Sequence, residues 1–199
     1  MNEGKIEVTD QMKILIINSA EPEIREFVLN IQQHFNDSEV TCTLLEYADC
    51  LQTDLLAYDG IVISGSPQGD DIVEHHQPFF QWILNYPKPI LGICAGHHIT
   101  AVLYGGSYLR GLESESGDLP VDLLVDDPIF HGLPQQLTVH QMHNDSVTLP
   151  DGFIHIAQSS QCLNQGMKHQ EKALYTFQFH PEYLNPKLFE NFAAICKKD

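Results

Sequence analysis

Basic side chains are scarce: 10 Lys and Arg stand against 27 Asp and Glu in 199 residues, a formal charge of −17. Affinity for nucleic acid and for anionic membrane surfaces comes largely from Lys and Arg, so neither is an expected partner. Long apolar runs are missing as well. The longest, such as Ile14–Ile17 and Ile61–Ile63, have the size of buried strands, far short of the ~18 residues of a membrane helix. The five cysteines (Cys42, Cys50, Cys94, Cys162, Cys196) are odd in number and scattered, with no CxxC pair, a poor disulfide framework. MNEGKIEVTD has neither the basic stretch nor the apolar stretch of a secretory signal, so a cytoplasmic protein is expected. Neither a P-loop nor a GxGxxG motif occurs, and no cofactor is expected. Eleven histidines raise the question of a metal. However, the adjacent pairs His75-His76 and His97-His98 would point about 100° apart on a helix, and His140 and His143 have no thiolate nearby in sequence. No metal site is expected.

What is present is an ordinary globular composition, 43% hydrophobic and 19% charged, long enough for one full core. With no repeat, low-complexity block or linker, residues 1–199 read as a single domain, 1–11 being a flexible leader. Lys13–Asn18, Glu39–Glu46, Gly60–Ser64 and Pro89–Cys94 read as strands of a sheet covered on both faces. Helical spacing follows Pro22 (Ile24, Phe27, Val28, Ile31), spans Asp71–Asn85 and resumes at His97–Tyr104, with a short helix around Asp49–Ala57. This alternation predicts an α/β fold, an open, mostly parallel sheet flanked by helices. The second half changes character. Leu119–Val125, Leu137–Met142, Ile154–Gln158, Gln161–Met167 and Lys172–Phe179 are strand-like runs separated by turns, expected as an antiparallel extension of the same sheet. Leu188–Cys196 reads as a closing helix.

Ligands of open α/β sheets bind beyond the carboxyl ends of the strands. Cys94 lies at such an end, in GICAGHH (Gly92 to His98), with glycines two before and two after. That is the spacing of a nucleophile elbow, where a strained strand-to-helix turn leaves no room for neighbouring side chains. There the sulfur would face a helix N-terminus, which favours thiolate, and the Ala95 N–H could stabilise an oxyanion. A thiolate nucleophile needs a base, and the base an orienting group. FQFHPE (Phe177 to Glu182) supplies both: His180 leaves a strand end and Glu182 lies two residues on. SGSPQGD (Ser64 to Asp70), after another strand, offers further backbone donors. The plainer alternatives are a buried small hydrophobe at Cys94, surface punctuation at His180 and an ordinary βα turn at Ser64.

Taken together, GICAGHH, FQFHPE and SGSP resemble the three signatures of the class I, triad-type glutamine amidotransferases, and the likeness spans nearly the whole chain. Within that family MHNDSVTLPDGF (Met142 to Phe153), PIFHGLP (Pro128 to Pro134) and GMKHQEKALYTFQFHPE (Gly166 to Glu182) resemble the amidotransferase part of GMP synthase. The resemblance implies a flavodoxin-like amidotransferase fold and a Cys94-His180-Glu182 triad hydrolysing the glutamine side chain through a γ-glutamyl thioester. It implies oxyanion donors at Ala95 and Gly65, pocket residues Ser66, His98, His143 and Asp145, and a separate ATP-using synthetase that takes the ammonia. The chain departs from the family where Gln is usual and His98 stands, at Ser66 in the usual Gly-Gly-Pro, and at Met142 and Asn144. These departures touch the pocket rather than the triad. They keep open a stand-alone γ-glutamyl or amide hydrolase on the same triad, or a silent binding relative. Restoring glutamine at position 98 is expected to raise glutaminase activity.

Overall fold

The computed structural model describes residues 11–35, 39–68 and 71–197. All but the last residue of the expected leader therefore lies outside it, as do Gly69 and Asp70 of the SGSPQGD loop. In chain order the strands are β1 (Met12–Asn18), β2 (Val40–Glu46), β3 (Gly60–Ile63), β4 (Ile90–Ile93), β5 (Tyr108–Leu109) and β6 (Glu115–Leu123). There follow β7 (Gln136–His143), β8 (Ser146–Val147), β9 (Phe153–Gln158), β10 (Gly166–His169) and β11 (Leu174–Phe177). The helices are α1 (Glu26–Gln33), α2 (Asp71–Phe80), α3 (Ala95–Leu103), α4 (Pro181–Leu184) and α5 (Pro186–Cys196).

Nine strands form one sheet in the order β2-β1-β3-β4-β11-β10-β9-β6-β7. The first five run parallel, and from β11 onward every neighbour is antiparallel, as expected. β5 and β8 pair as a separate antiparallel ribbon. Alternation along β1 sends Ile14 and Ile16 to one face, where they pack with Val28, Ile31, Phe189 and Phe192 of α1 and α5. Leu15 and Ile17 go to the other, with Phe80, Ile83, Ile99 and Ala101. Helices on both faces bury β3, β4 and β11 at every position, which is why these strands read as unbroken apolar runs.

Several boundaries differ from the expectation, and the short helix expected around Asp49–Ala57 is two 3-10 turns, Tyr47–Gln52 and Leu55–Ala57. α3 begins at Ala95 rather than His97, because Cys94 already occupies its N-cap. The single helix expected over Asp71–Asn85 ends at Phe80, shortly after Pro78, and tightens into a 3-10 turn over Gln81–Leu84, as a proline without an N–H invites. β6 starts at Glu115 instead of Leu119 because its ladder with β7 runs from Glu115↔His143 to Asp122↔Gln136. The strand expected over Gln161–Met167 starts only at Gly166, since Ser159 Oγ accepts the N–H groups of Gln161 and Cys162 and bends the chain there.

Candidate active site

Cys94 is the one residue between β4 and α3, with φ 47° and ψ −97°. A non-glycine residue held in such a region costs on the order of 1–3 kcal/mol and persists only where its surroundings enforce it. The two glycines do so. A Cβ on Gly92 would lie 2.8 Å from the Gly96 carbonyl oxygen, and one on Gly96 2.8 Å from the Ile63 carbonyl oxygen. Backbone meets backbone on both sides of the cysteine, so no side chain fits at either position. The Cys94 N–H donates to the Phe177 carbonyl at 2.8 Å, which ties the elbow to β11.

β11 brings the histidine. His180 follows three residues after the strand's end, and its N–H donates to the His140 carbonyl at 2.9 Å. Its ring is 1% exposed and packs against Phe27 with centroids 5.3 Å apart. Nδ1 lies 2.7 Å from Glu182 Oε1 in the short helix α4. Burial alone would lower its pKa, but the charges of Cys94 and Glu182 and their hydrogen bonds outweigh burial and raise it to about 10. Two acceptors therefore hold the ring as imidazolium. A Cβ on Gly65 would lie 2.7 Å from His180 Cε1, so glycine alone lets the β3 loop lie along the ring. Glu182 sits behind the histidine, 4% exposed.

Cys94 and His180 open onto a cavity of about 240 Å³. One wall comes from the parallel half: Phe27, Ser66, Pro67, Ala95 and His98. The other comes from β6, β7 and the turn after them: Glu115, Ser116, Met142, His143, Asn144 and Asp145. The fold thus gathers Cys94, His180, Ser66, Ala95, His98, His143 and Asp145 at one cavity, with Glu182 behind the imidazole and Gly65 beside both the ring's Cε1 and Cys94. His98 Nε2 lies 2.5 Å from Gln178 Oε1 and its Nδ1 2.6 Å from the Tyr108 hydroxyl. Burial lowers its pKa to about 4, against the pull of the Gln178 hydrogen bond, so it is neutral at physiological pH. Asp145 accepts the Gly111 N–H at 2.6 Å and pins the loop before β6.

Sequence reading missed Glu115, Gln178 and Tyr108. Gln178 had a signal, since alternation in FQFH sets it on the face opposite Phe177 and Phe179. Tyr108 had none, as its ribbon partner Val147 lies far along the chain. His143 needs a correction: a thiol-bearing residue is near it in space. Glu115, His143 and Cys162 place one donor atom each within 4.8 Å of one another, all buried, a set that could hold a metal ion. Glu115 is hydrogen-bonded by Gln165 and lies 3.4 Å from His143 Nε2, while burial pushes the Cys162 thiol far above its ordinary value. A neutral thiol beside a satisfied carboxylate suits packing better than ligation.

A thiol on a strand-to-helix elbow, facing a histidine that a carboxylate holds, places the protein among the cysteine–histidine–acid folds. The family model for glutamine amidotransferase class-I matches residues 24–193. The glutamine-hydrolyzing GMP synthase subunit of Methanosarcina barkeri is 33% identical over 195 residues, covering 94% of this chain and 98% of that one. The protein of the same name from Thermoplasma acidophilum is 35% identical over 154 residues, 74% of this chain and 77% of that one. The crystal structure of a Thermoplasma acidophilum protein assigned as a GMP synthase subunit superposes with a TM-score of 0.82 at 30% identity, covering 94% of each chain. A glutamine amidotransferase structure from Thermotoga maritima, 23% identical, shares the fold with a TM-score of 0.74, covering 94% of this chain and 83% of that one. The chain belongs to the class I glutamine amidotransferases. Among the described residues no helix is long and apolar enough to cross a membrane.

Proposed function

We propose that this chain hydrolyses the side-chain amide of glutamine and passes the ammonia to a separate, ATP-using synthetase of the GMP-synthase type. The observation that carries the reading is Cys94 at φ 47° on the elbow, with His180 held 2.7 Å from Glu182 beside it. Cys94 Sγ attacks the amide carbon as thiolate, and the C–O π electrons move onto oxygen. The Ala95 N–H has no acceptor within its own helix, because Ala95 is the first residue of α3. With the Gly65 N–H it would hold the oxyanion, each donor lowering the barrier by about 3–4 kcal/mol. Imidazolium His180 protonates the departing nitrogen and ammonia leaves, with a γ-glutamyl thioester on Cys94. His180, now neutral, takes a proton from water, which attacks the thioester and releases glutamate and the thiolate. Glu182 keeps the ring's Nδ1 hydrogen engaged throughout, so that the other nitrogen faces the chemistry.

The cavity of about 240 Å³ falls below the ~300–1,000 Å³ of pockets for drug-sized ligands. It suits an amino acid, with Ser66, His98, His143 and Asp145 as its walls, and leaves nucleotide chemistry to the partner. A chain of net charge −17 would meet a basic docking face, with association weakening as salt rises. The cysteines are free, which suits a reducing compartment such as the cytoplasm. A second reading, a stand-alone hydrolase of another γ-glutamyl compound on the same three residues, is favoured by His98, whose ring nitrogens are both already engaged. The test is ammonia release from glutamine, with and without synthetase. Cys94→Ala is expected to lower it by at least about 10⁴-fold, and turnover at the unaltered rate would overturn the assignment. Strong partner-independent turnover of a different γ-glutamyl substrate would decide for the second reading.

A further inference from the structure

Outside the proposed triad, one string of side chains runs straight to the sulfur. The Tyr108 hydroxyl lies 2.6 Å from His98 Nδ1, His98 Nε2 lies 2.5 Å from Gln178 Oε1, and Gln178 Nε2 lies 4.0 Å from Cys94 Sγ. Gln178 is 0% and His98 5% exposed, so bulk water does not compete for these atoms. We infer that Tyr108, His98 and Gln178 form a one-way chain of donors ending on Cys94, with Gln178 the second hydrogen-bond donor to the thiolate and His98 and Tyr108 positioning it. The inference rests on Cys94 being the nucleophile.

The direction follows from chemistry. An amide turned end for end would aim its oxygen at the sulfur, two electron-rich atoms facing each other. With its N–H₂ toward sulfur, Gln178 offers only its oxygen to His98, so His98 must carry hydrogen on Nε2. Its Nδ1 is then a lone pair, which the tyrosine hydroxyl fills. This needs a neutral imidazole, and burial keeps His98 neutral down to about pH 4. Each bond polarises the next, and a charged acceptor at the end strengthens them all. The backbone holds the amide in place: the Gln178 N–H donates to the Gln165 carbonyl at 2.9 Å, between the buried rings of Phe177 and Phe179. The histidine that stands where the family usually carries glutamine thus serves the nucleophile and gives no hydrogen bond to substrate. The other titratable groups facing the sulfur are His180, with Glu182 behind it, and, across the cavity, Glu115, His143 and Asp145.

The experiment follows alkylation of Cys94 by iodoacetamide against pH, read by mass spectrometry, in the unaltered protein and in Gln178→Glu, Gln178→Met and Tyr108→Phe. Gln178→Glu, which replaces the donor with an acceptor, is expected to raise the midpoint by about one pH unit, tenfold less thiolate. Gln178→Met is expected to raise it less, and Tyr108→Phe by about 10–30% of the largest shift. In each variant kcat falls with KM little changed. Midpoints that coincide with the unaltered protein in folded variants overturn the inference. If Gln178→Glu does not fold, the other two variants carry the same test. Alkylation needs no substrate, so a protein whose midpoint shifts in this order but which releases no ammonia from glutamine overturns the proposed function and upholds the donor chain.

Discussion

The two halves of the sheet are built on different rules. In the parallel half β3, β4 and β11 are buried at every position, and β1 at all but one. In the antiparallel half β7 alternates between exposed and buried along most of its length, and β6 does so along much of its own. The first half holds the thiol and the histidine on closely packed, hydrogen-bonded backbone. The second presents a wet face and lends residues to a cavity wall. The two residues proposed to carry the chemistry thus lie at the ends of strands covered on both sides, where position is held most closely. The side that must admit a substrate is covered on one.

That contrast can be broken experimentally, most severely at the elbow. Gly96→Ala forces a Cβ to 2.8 Å from the Ile63 carbonyl oxygen, and should cost about 3 kcal/mol or more, read by urea unfolding, with loss of rapid Cys94 alkylation. A variant with unaltered stability would show the elbow to be loose. Alkaline pH probes the same half. His180 is raised from 6.5 to about 10 in the folded protein; burial opposes this, and Cys94 and Glu182 drive it. Its contribution to stability is therefore complete below pH 6.5 and lost as pH rises through about 10, on the order of 5 kcal/mol. Glu182→Gln should flatten this loss in thermal melts between those limits, and parallel curves for the two proteins would contradict it.

In the antiparallel half comparable changes should be mild. Gly117 in β6 has φ +91° and open space where a Cβ would go. Gly117→Ala should cost only the backbone term, about 1–2 kcal/mol, and leave ammonia release within about twofold. The Asp118–His140 contact at 2.7 Å is 56% and 30% exposed. Asp118→Asn should shift stability by no more than about 0.5 kcal/mol. A larger loss would show that this face is coupled to His180 through the His140 carbonyl, which accepts the His180 N–H.

Much of the first half could be read directly. KILIIN, GIVIS and PILGIC became β1, β3 and β4 because burial on both faces demands apolar residues at every position. Glycines two before and two after Cys94 marked an elbow because each abuts backbone. His180 and Glu182 could be paired because they are two residues apart. The second half was harder: Ser159 bends the chain where a strand was expected, and the β5–β8 ribbon is too short to leave a pattern.

What spacing and pattern alone made legible is therefore local, and the pairing of Cys94 with the distant His180 came from the family resemblance. The elbow, the buried strands and the His-Pro-Glu exit each depend on neighbours within a few positions, whose steric and hydrogen-bonding demands act through the backbone that joins them. Which further distant residues share that space was decided only by the folded sheet. Strand order carries His143 to Glu115 and Cys162, and carries the tyrosine of a two-residue strand to His98 and, through Gln178, to the sulfur. Those meetings arise because β11 joins the parallel and antiparallel halves. Side chains as far apart as His98 and Gln178, at 80 residues, or Cys94 and Gln178, at 84, meet only once that seam has formed.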